Sequence, residues 1–189
     1  YEFFYEFSQR SNLQQPDTLS KDELIKFNEK IASPSHVGIG LNYIEKNIGE
    51  KNFNKYLKEY ISKSDIKSFE DFFLKKTDYK TEWFFKTYIK DRKAYDFKIK
   101  EIELNKENIS VKIEEKSKRS LPIKIALIKN DSTVLKKWIS FKNDTIIKLK
   151  RIDTDYISLN SGINFPESNK KNNWKFIKKP SRIKPLKFN

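Results

Sequence analysis

The sequence contains no cysteine and no methionine, and it has only one histidine and four glycines among 189 residues. Without cysteine the chain can form neither a disulfide nor a thiolate metal site, and nothing indicates its redox compartment. Because a structural zinc site takes about four protein ligands and a catalytic one about three, a single histidine argues against a zinc site within this chain. The few glycines form no Gly-rich phosphate loop.

The absence of methionine also bears on what kind of chain this is. A translated chain normally begins with methionine, whereas this one begins at Tyr1, so we interpret it as a processed product or a piece of a larger protein. Phe3, Phe4 and Phe7 share one face of a predicted helix and favour a piece cut from a larger interior. No apolar run is long enough to cross a bilayer, and no signal-peptide pattern is present. No compartment is assigned, although an extracytoplasmic or membrane-associated parent is compatible with the sequence.

The net charge of +14 invites a nucleic-acid interpretation, but the type of basic residue argues against it. Five of the 40 basic residues are arginine, which leaves 35 lysines. Recognition of bases and phosphates favours the bidentate arginine fork. The lysines are spread along the chain beside abundant asparagine and isoleucine, a pattern typical of compositional drift. We therefore predict a solvated basic surface, no specific nucleic-acid partner, and only salt-sensitive affinity for polyanions.

The best-marked element is a helix that begins at Ser33 and ends before Gly49. Ser33 suits the N-cap, Pro34 suits the first helical position, and Gly49 suits a left-handed residue just past the end. One apolar face is formed by Val37, Leu41, Ile44 and Ile48. Gly38 and Gly40 each cost about 1 kcal/mol relative to alanine in a helix. Because the helix keeps them, we expect another backbone to come close.

The other helices of the first half are predicted from their starts. A capping box predicts a short helix over residues 21–30. Further helices follow Gly49, begin after Ser68, and run over residues 81–90, each with an apolar stripe. Residues 1–92 are therefore predicted to form an all-helical array.

Beyond Ala94 the apolar residues alternate with polar ones, which is the period of half-buried strands. A change of phase predicts a β-bulge near Lys100. About six short strands over residues 93–160 favour a small antiparallel β-sandwich of the immunoglobulin-like or fibronectin-like type. Residues 161–189 are rich in asparagine, lysine and proline and are predicted to form an extended tail. The predicted fold class is α+β, a helical array followed by the sandwich.

The sequence offers few combinations of residues that could form a catalytic site. A Ser-His-Asp arrangement through His36 is formally possible, but no Gly-x-Ser-x-Gly elbow is present and a lone histidine is more often structural. Glu70 and Asp71 are adjacent on a predicted helix, so their carboxylates do not face each other. They favour a helix N-terminus instead. Taken alone, the residues indicate a non-catalytic module with no catalytic or metal-binding residue.

Several segments resemble aminopeptidase N-type zinc metallopeptidases, which belong to the gluzincins. Residues 47–60, Asn-Ile-Gly-Glu-Lys-Asn-Phe-Asn-Lys-Tyr-Leu-Lys-Glu-Tyr, are similar to the Leu-Gly-x-x-x-Phe-x-x-x-Leu-x-x-Tyr segment of that family. Further resembling segments, in order, are residues 68–72 (the next helix start), 82–85 (the Leu-x-Trp-Phe-Phe motif) and 95–97 (the first strand of the C-terminal β-sandwich). Two other segments resemble bacterial members, residues 10–16 and 167–174. The resemblance covers most of the chain.

The resemblance implies a parent that removes N-terminal residues from peptide substrates with a zinc-bound water. The His-Glu-x-x-His helix and the next glutamate ligand of the family are absent here and would lie before Tyr1, in a missing N-terminal catalytic region. The chain is then a non-catalytic C-terminal fragment, and zinc is implied for the parent alone. The alternative is a non-enzymatic interaction module that docks a protein or a polyanion through a basic surface.

The resemblance also implies a role for the turn that opens the best-marked helix. The family has a tyrosine there that stabilises the transition-state oxyanion, and a lysine two positions later. By register these positions are Pro34 and His36. Proline cannot donate a hydrogen bond, so the role is lost unless Ser35 or His36 substitutes. His36 is therefore a candidate residue of the substrate cleft, and a surface or capping histidine is the open alternative.

Overall fold

The computed structural model describes residues 2–11, 13, 15, 19–63, 65–89, 95–116, 119–141, 145–165, 167 and 169–177. Within these residues the fold is mixed, with helices and two antiparallel sheets, so the predicted α+β class is confirmed. The α-helices are α1 (Glu2–Arg10), α2 (Ser33–Ile48), α3 (Glu50–Ser62) and α4 (Phe69–Lys76). Shorter helical stretches are the 3-10 turns Lys21–Glu23 and Lys170–Asn172 and the π-helical stretches Asn28–Ala32 and Phe84–Ile89.

The start of α2 differs from the prediction. The chain is already π-helical over Asn28–Ala32, so the helix does not begin at a Ser33 cap. Pro34 has no N–H to donate to the carbonyl four residues earlier, and the wider π-helical turn before it accommodates that missing bond. The helix predicted over residues 21–30 is likewise replaced by the 3-10 turn Lys21–Glu23 and the π-helical stretch.

Two predicted helix boundaries are confirmed. Gly49 has a φ of 90°, a region that favours glycine, and it separates α2 from α3. The Gly49 N–H still donates to the carbonyl of Glu45 at 2.9 Å. Ser68 caps α4, because its hydroxyl oxygen accepts a hydrogen bond from the Asp71 N–H at 3.1 Å.

Replacing Ser68 with alanine should lower the free energy of unfolding by about 1 kcal/mol, because the Asp71 N–H loses its acceptor. Urea denaturation followed by circular dichroism measures the change. Ser62→Ala is the matched control: the Ser62 hydroxyl donates to the carbonyl of Glu59 at the other end of a helix, and it caps no N–H. Equal losses in the two variants would contradict a specific capping role for Ser68.

The strands in the part of the chain that the structure describes form two antiparallel sheets. They are β1 (Phe97–Leu104), β2 (Asn108–Glu115), β3 (Leu121–Lys129), β4 (Ser132–Phe141), β5 (Thr145–Lys150), β6 (Tyr156–Leu159) and β7 (Trp174–Phe176). The strand order is β1-β2-β5 in the first sheet and β4-β3-β6-β7 in the second. The predicted bulge is confirmed as a register shift between Ile99 and Glu101. Asn130 and Asp131, with φ values of 47° and 57°, make the turn between β3 and β4.

The helices do not form the N-terminal array that the sequence predicts. Tyr43 of α2 and Phe73 of α4 belong to the same hydrophobic core as Phe97 of β1 and Ile125 of β3. The Tyr43 hydroxyl also donates to a carbonyl of β3, and a further helical turn lies as late as Lys170–Asn172. The short helices bury their apolar faces against strands as well as against one another, which periodicity alone does not reveal.

Part of the predicted tail forms regular secondary structure. Residues 169–177 carry a 3-10 turn and strand β7, which pairs with β6. Residues 178–189, with Pro180 and Pro185, lie outside the described residues. The division of the chain at residues 92 and 160 stays a prediction.

Candidate functional site

His36, the candidate residue of the substrate cleft, is buried on α2 and is 2 % exposed. Its ring stacks on Tyr88, with centroids 4.1 Å apart and an interplanar angle of 15°. The Tyr88 hydroxyl donates to the His36 backbone carbonyl at 2.9 Å. Burial lowers the pKa of His36 to about 4, so the ring is neutral at pH 7. Whether this position faces a cleft of the parent stays a prediction.

The two residues before His36 have different surroundings. Pro34 is exposed, whereas Ser35 is buried. The Ser35 hydroxyl has no hydrogen-bond partner among the residues that the structure describes. Within this short segment only Pro34 presents its side chain to solvent, and Ser35 and His36 lie inside.

Glu167 lies at the centre of a buried polar network that the sequence did not predict. Its side-chain oxygen Oε1 accepts hydrogen bonds from the side-chain amides of Asn173 at 2.8 Å and Asn160 at 3.3 Å. Oε2 accepts from the backbone N–H of Phe97, the first residue of β1, at 3.2 Å. One carboxylate therefore joins β1, the end of β6 and the segment before β7.

Asn160 extends this network to α2 and β3. Its side-chain oxygen accepts from the Tyr43 hydroxyl at 3.0 Å and from the Lys124 N–H at 3.1 Å. Its φ of 51° lies in the left-handed region, which asparagine tolerates better than most residues. The turn composition Asn-Ser-Gly at residues 160–162 was the available signal, but nothing local marks Glu167 as a buried partner.

Burial raises the pKa of Glu167 to about 7, and the charge of Asp96 adds to the rise while the three hydrogen bonds oppose it. The pKa of Tyr43 is also raised, first by burial and then by the Glu167 charge. Asp96 is itself buried and is paired with Lys116 at 2.5 Å. Glu167 and its partners therefore link segments that are distant in the sequence. Among the described residues, no group of three or more His, Cys, Asp or Glu side chains could hold a metal ion.

A groove of about 670 Å³ lies between the helical segments and the β3–β4 hairpin, and we call it the α–β groove. Its aromatic lining comes from four side chains, Tyr56, Tyr79, Trp83 and Trp138. Its charged lining consists of Lys76, Lys80 and Lys86 with Asp78 and Glu82. A concave surface lined by both aromatic and charged groups offers apolar and polar contacts to a ligand.

One wall of the α–β groove is a strained turn after α4. Asp78 and Tyr79 have φ values of 50° and 57°, which non-glycine residues seldom adopt. The turn is held by the Tyr79 N–H, which donates to the Leu74 carbonyl at 2.8 Å, and by the buried hydroxyls of Thr77 and Thr81, 2.7 Å apart. Backbone strain of this kind often accompanies functional sites. In this turn the Tyr79 side chain is exposed at the edge of the α–β groove.

Two lysines lie beside Trp138 on the same face of the second sheet. Lys124 is directly opposite Trp138 in the β3–β4 pair, and Lys136 precedes Trp138 by two residues on β4. Partial burial and the neighbouring Lys136 charge lower the pKa of Lys124. This patch, which we call the Lys124–Lys136 patch, concentrates positive charge next to the aromatic wall of the groove.

Comparison with family models, curated proteins and solved structures finds no match for the chain. The described residues contain no helix with the length and apolar character needed to cross a bilayer.

Proposed function

We propose that this chain is a non-catalytic C-terminal part of an aminopeptidase N-like metallopeptidase. Its role is to support peptide hydrolysis by an N-terminal catalytic region. The observation that carries the proposal is a series of contacts between the segments that bear the resemblance. Tyr60 contacts Phe69 with ring centroids 5.0 Å apart, and Phe69 contacts Phe85 at 6.0 Å. The helical motifs thus support one another in space as well as in order.

The proposal extends to the two sheets, which we assign as an immunoglobulin-like or fibronectin-like β-sandwich. Support comes from Phe97 of β1 and Phe141 of β4, whose rings meet edge to face at 5.5 Å although they belong to different sheets. Alternating buried residues of β2 and β3 contribute to the same core. Facing apolar sheet surfaces are the basis of sandwich packing.

Zinc belongs in this proposal to the parent alone. The residues present do not fit a zinc site, because the sequence has one histidine, no cysteine, and His36 is buried against Tyr88. We therefore assign no catalytic step to this chain. The sequence upstream of Tyr1 tests the parentage: a parent coding sequence without His-Glu-x-x-His would contradict an active peptidase.

The purified chain should hold no stoichiometric zinc and should not cleave an aminoacyl reporter, because the ligands that a zinc site needs are missing. Metal analysis after dialysis and a fluorogenic aminopeptidase assay check this. The full-length parent, measured beside it, is the positive control. One tightly bound zinc per isolated chain would refute the proposal that the chain is non-catalytic.

The second candidate function is an interaction module. The observation that favours it is the Lys124–Lys136 patch beside the α–β groove, where basic residues adjoin half-buried Trp138. Scattered surface lysines alone would not distinguish this face from the rest of a chain with a net charge of +14. The groove beside the patch distinguishes this face, because it adds a concave surface to the positive charge.

A further inference from the structure

Strand β4 is an edge of the second sheet. It pairs with β3 on one side, and within the described residues no strand pairs with its other side. An edge strand presents a row of unpaired backbone N–H and C=O groups that can accept a further strand. The hairpin turn at Asn130 and Asp131 fixes one end of this edge, so it lies in a defined register against β3.

The charges on β4 decide which further strand fits. Lys136 and Lys137 are both exposed on this edge. A second copy of the same edge would bring these like charges together, which disfavours self-pairing. A strand whose acidic side chains lie on the face opposite Trp138 would instead meet the complementary charge of Lys137.

The α–β groove supplies side-chain contacts next to this edge. Trp138, Ile139 and Ser140 of β4 line it, so it continues along the last part of the strand. Trp138 also packs edge to face on Tyr43 with ring centroids 5.3 Å apart, which fixes the indole in place. An added strand presents alternate side chains to one face. Apolar side chains of such a strand would therefore contact the aromatic wall.

We propose that the outer edge of β4 and the α–β groove bind an extended acidic peptide segment by strand addition. In this segment apolar residues alternate with aspartate or glutamate. Backbone hydrogen bonds to β4 provide affinity, and the groove takes the apolar side chains. The acidic side chains lie on the opposite face, where Lys137 selects for them, because Lys137 alternates with Trp138 along β4. A nucleic acid fits less well, because it has no peptide backbone to pair with β4 and because Asp78 and Glu82 repel a continuous polyanion. The inference gives the second candidate function a site and a partner, and it does not depend on the peptidase resemblance.

The test uses the full chain and a fluorescein-labelled octapeptide of alternating valine and glutamate. Fluorescence anisotropy should show saturable binding, and hydrogen exchange should show new protection of the β4 amides without protection of β5. The same peptide with lysine in place of glutamate should not bind. Lys137→Glu should weaken binding about tenfold, since a pairing charge becomes a repelling one.

Lys148→Glu is the matched control, because Lys148 is exposed on β5 of the other sheet and the charge change is the same. It should leave the affinity unchanged. Equal weakening by Lys137→Glu and Lys148→Glu would overturn the proposal in favour of a net-charge effect. A thymidine octanucleotide that binds with the same dependence on Lys137 would assign the site to nucleic acid instead. Failure of the acidic peptide to bind would sink this inference and leave the peptidase parentage standing.

Discussion

Replacing Gly40 with alanine should lower the free energy of unfolding by about 2 kcal/mol. A Cβ atom at this position of α2 would lie closer to Cε1 of Tyr88 than van der Waals contact permits, and 2.5 Å from Cε2 of Phe84. Both rings are buried, and Tyr88 is also stacked on His36, so neither can move away without disturbing the core. The better helix propensity of alanine offsets about 1 kcal/mol of the overpacking cost.

Gly38→Ala is the matched control on the same helix. Nothing lies within 4 Å of a Cβ atom at Gly38, so the substitution should stabilise the chain by about 1 kcal/mol through helix propensity alone. Urea denaturation of the two variants should therefore give changes of opposite sign, about 3 kcal/mol apart. If Gly40→Ala were as stable as Gly38→Ala, the packing of Tyr88 and Phe84 against α2 would be wrong.

These two glycines also show how far sequence reasoning extends. Their presence in a helix predicted a close approach by another backbone, but the structure shows two aromatic side chains at Gly40 and open space at Gly38. Periodicity and caps predicted the end of α2 at Gly49, the start of α4 at Ser68 and the bulge after Ile99, because each signal is local. Helices from Ser33 and over residues 81–90 were predicted, but the π-helical hydrogen bonding of Asn28–Ala32 and Phe84–Ile89 was not, because it has no simple sequence period.

The candidate site depended even more on long-range contacts. The burial of His36 follows from its stacking on Tyr88, which is 52 residues away, and no local pattern predicts that pair. The α–β groove has walls from α3, from the turn after α4 and from the β3–β4 hairpin. Glu167 lies in a segment that composition assigned to an extended tail, yet it bonds to Phe97 at the start of β1. Only the tertiary fold brings these segments together.

Glu167 and His36 are both buried, and they should make the free energy of unfolding depend on pH in opposite directions. The pKa of Glu167 is raised from its ordinary value of 4.5 to about 7, so the folded chain binds this proton more tightly than the unfolded chain. Its contribution to stability is fully present below about pH 4.5 and is lost as the pH rises through about 7. The loss is on the order of 3 kcal/mol.

His36 acts in the reverse direction. Its pKa falls from 6.5 in its ordinary state to about 4 when folded, so the unfolded chain binds this proton more tightly. Its contribution to stability is present above about pH 6.5 and is lost as the pH falls through about 4, again by on the order of 3 kcal/mol. Between about pH 4.5 and 6.5 the two slopes oppose each other, so together these groups leave the stability nearly flat.

Single substitutions should therefore separate the two pH dependences of the stability, which cancel in the wild type. Relative to Glu167→Gln, the wild type should lose about 3 kcal/mol of stability between pH 4.5 and 7.5, because only the wild type must ionise a buried carboxyl. Relative to His36→Phe, which keeps a ring on Tyr88, the wild type should gain about 3 kcal/mol between pH 4 and 6.5. Urea denaturation at half-unit pH intervals measures both differences.

Each variant also changes the stability by a constant amount through altered packing or hydrogen bonding, and this constant does not affect the slope. A difference that stays flat across its window would show that the group is solvated in the folded chain.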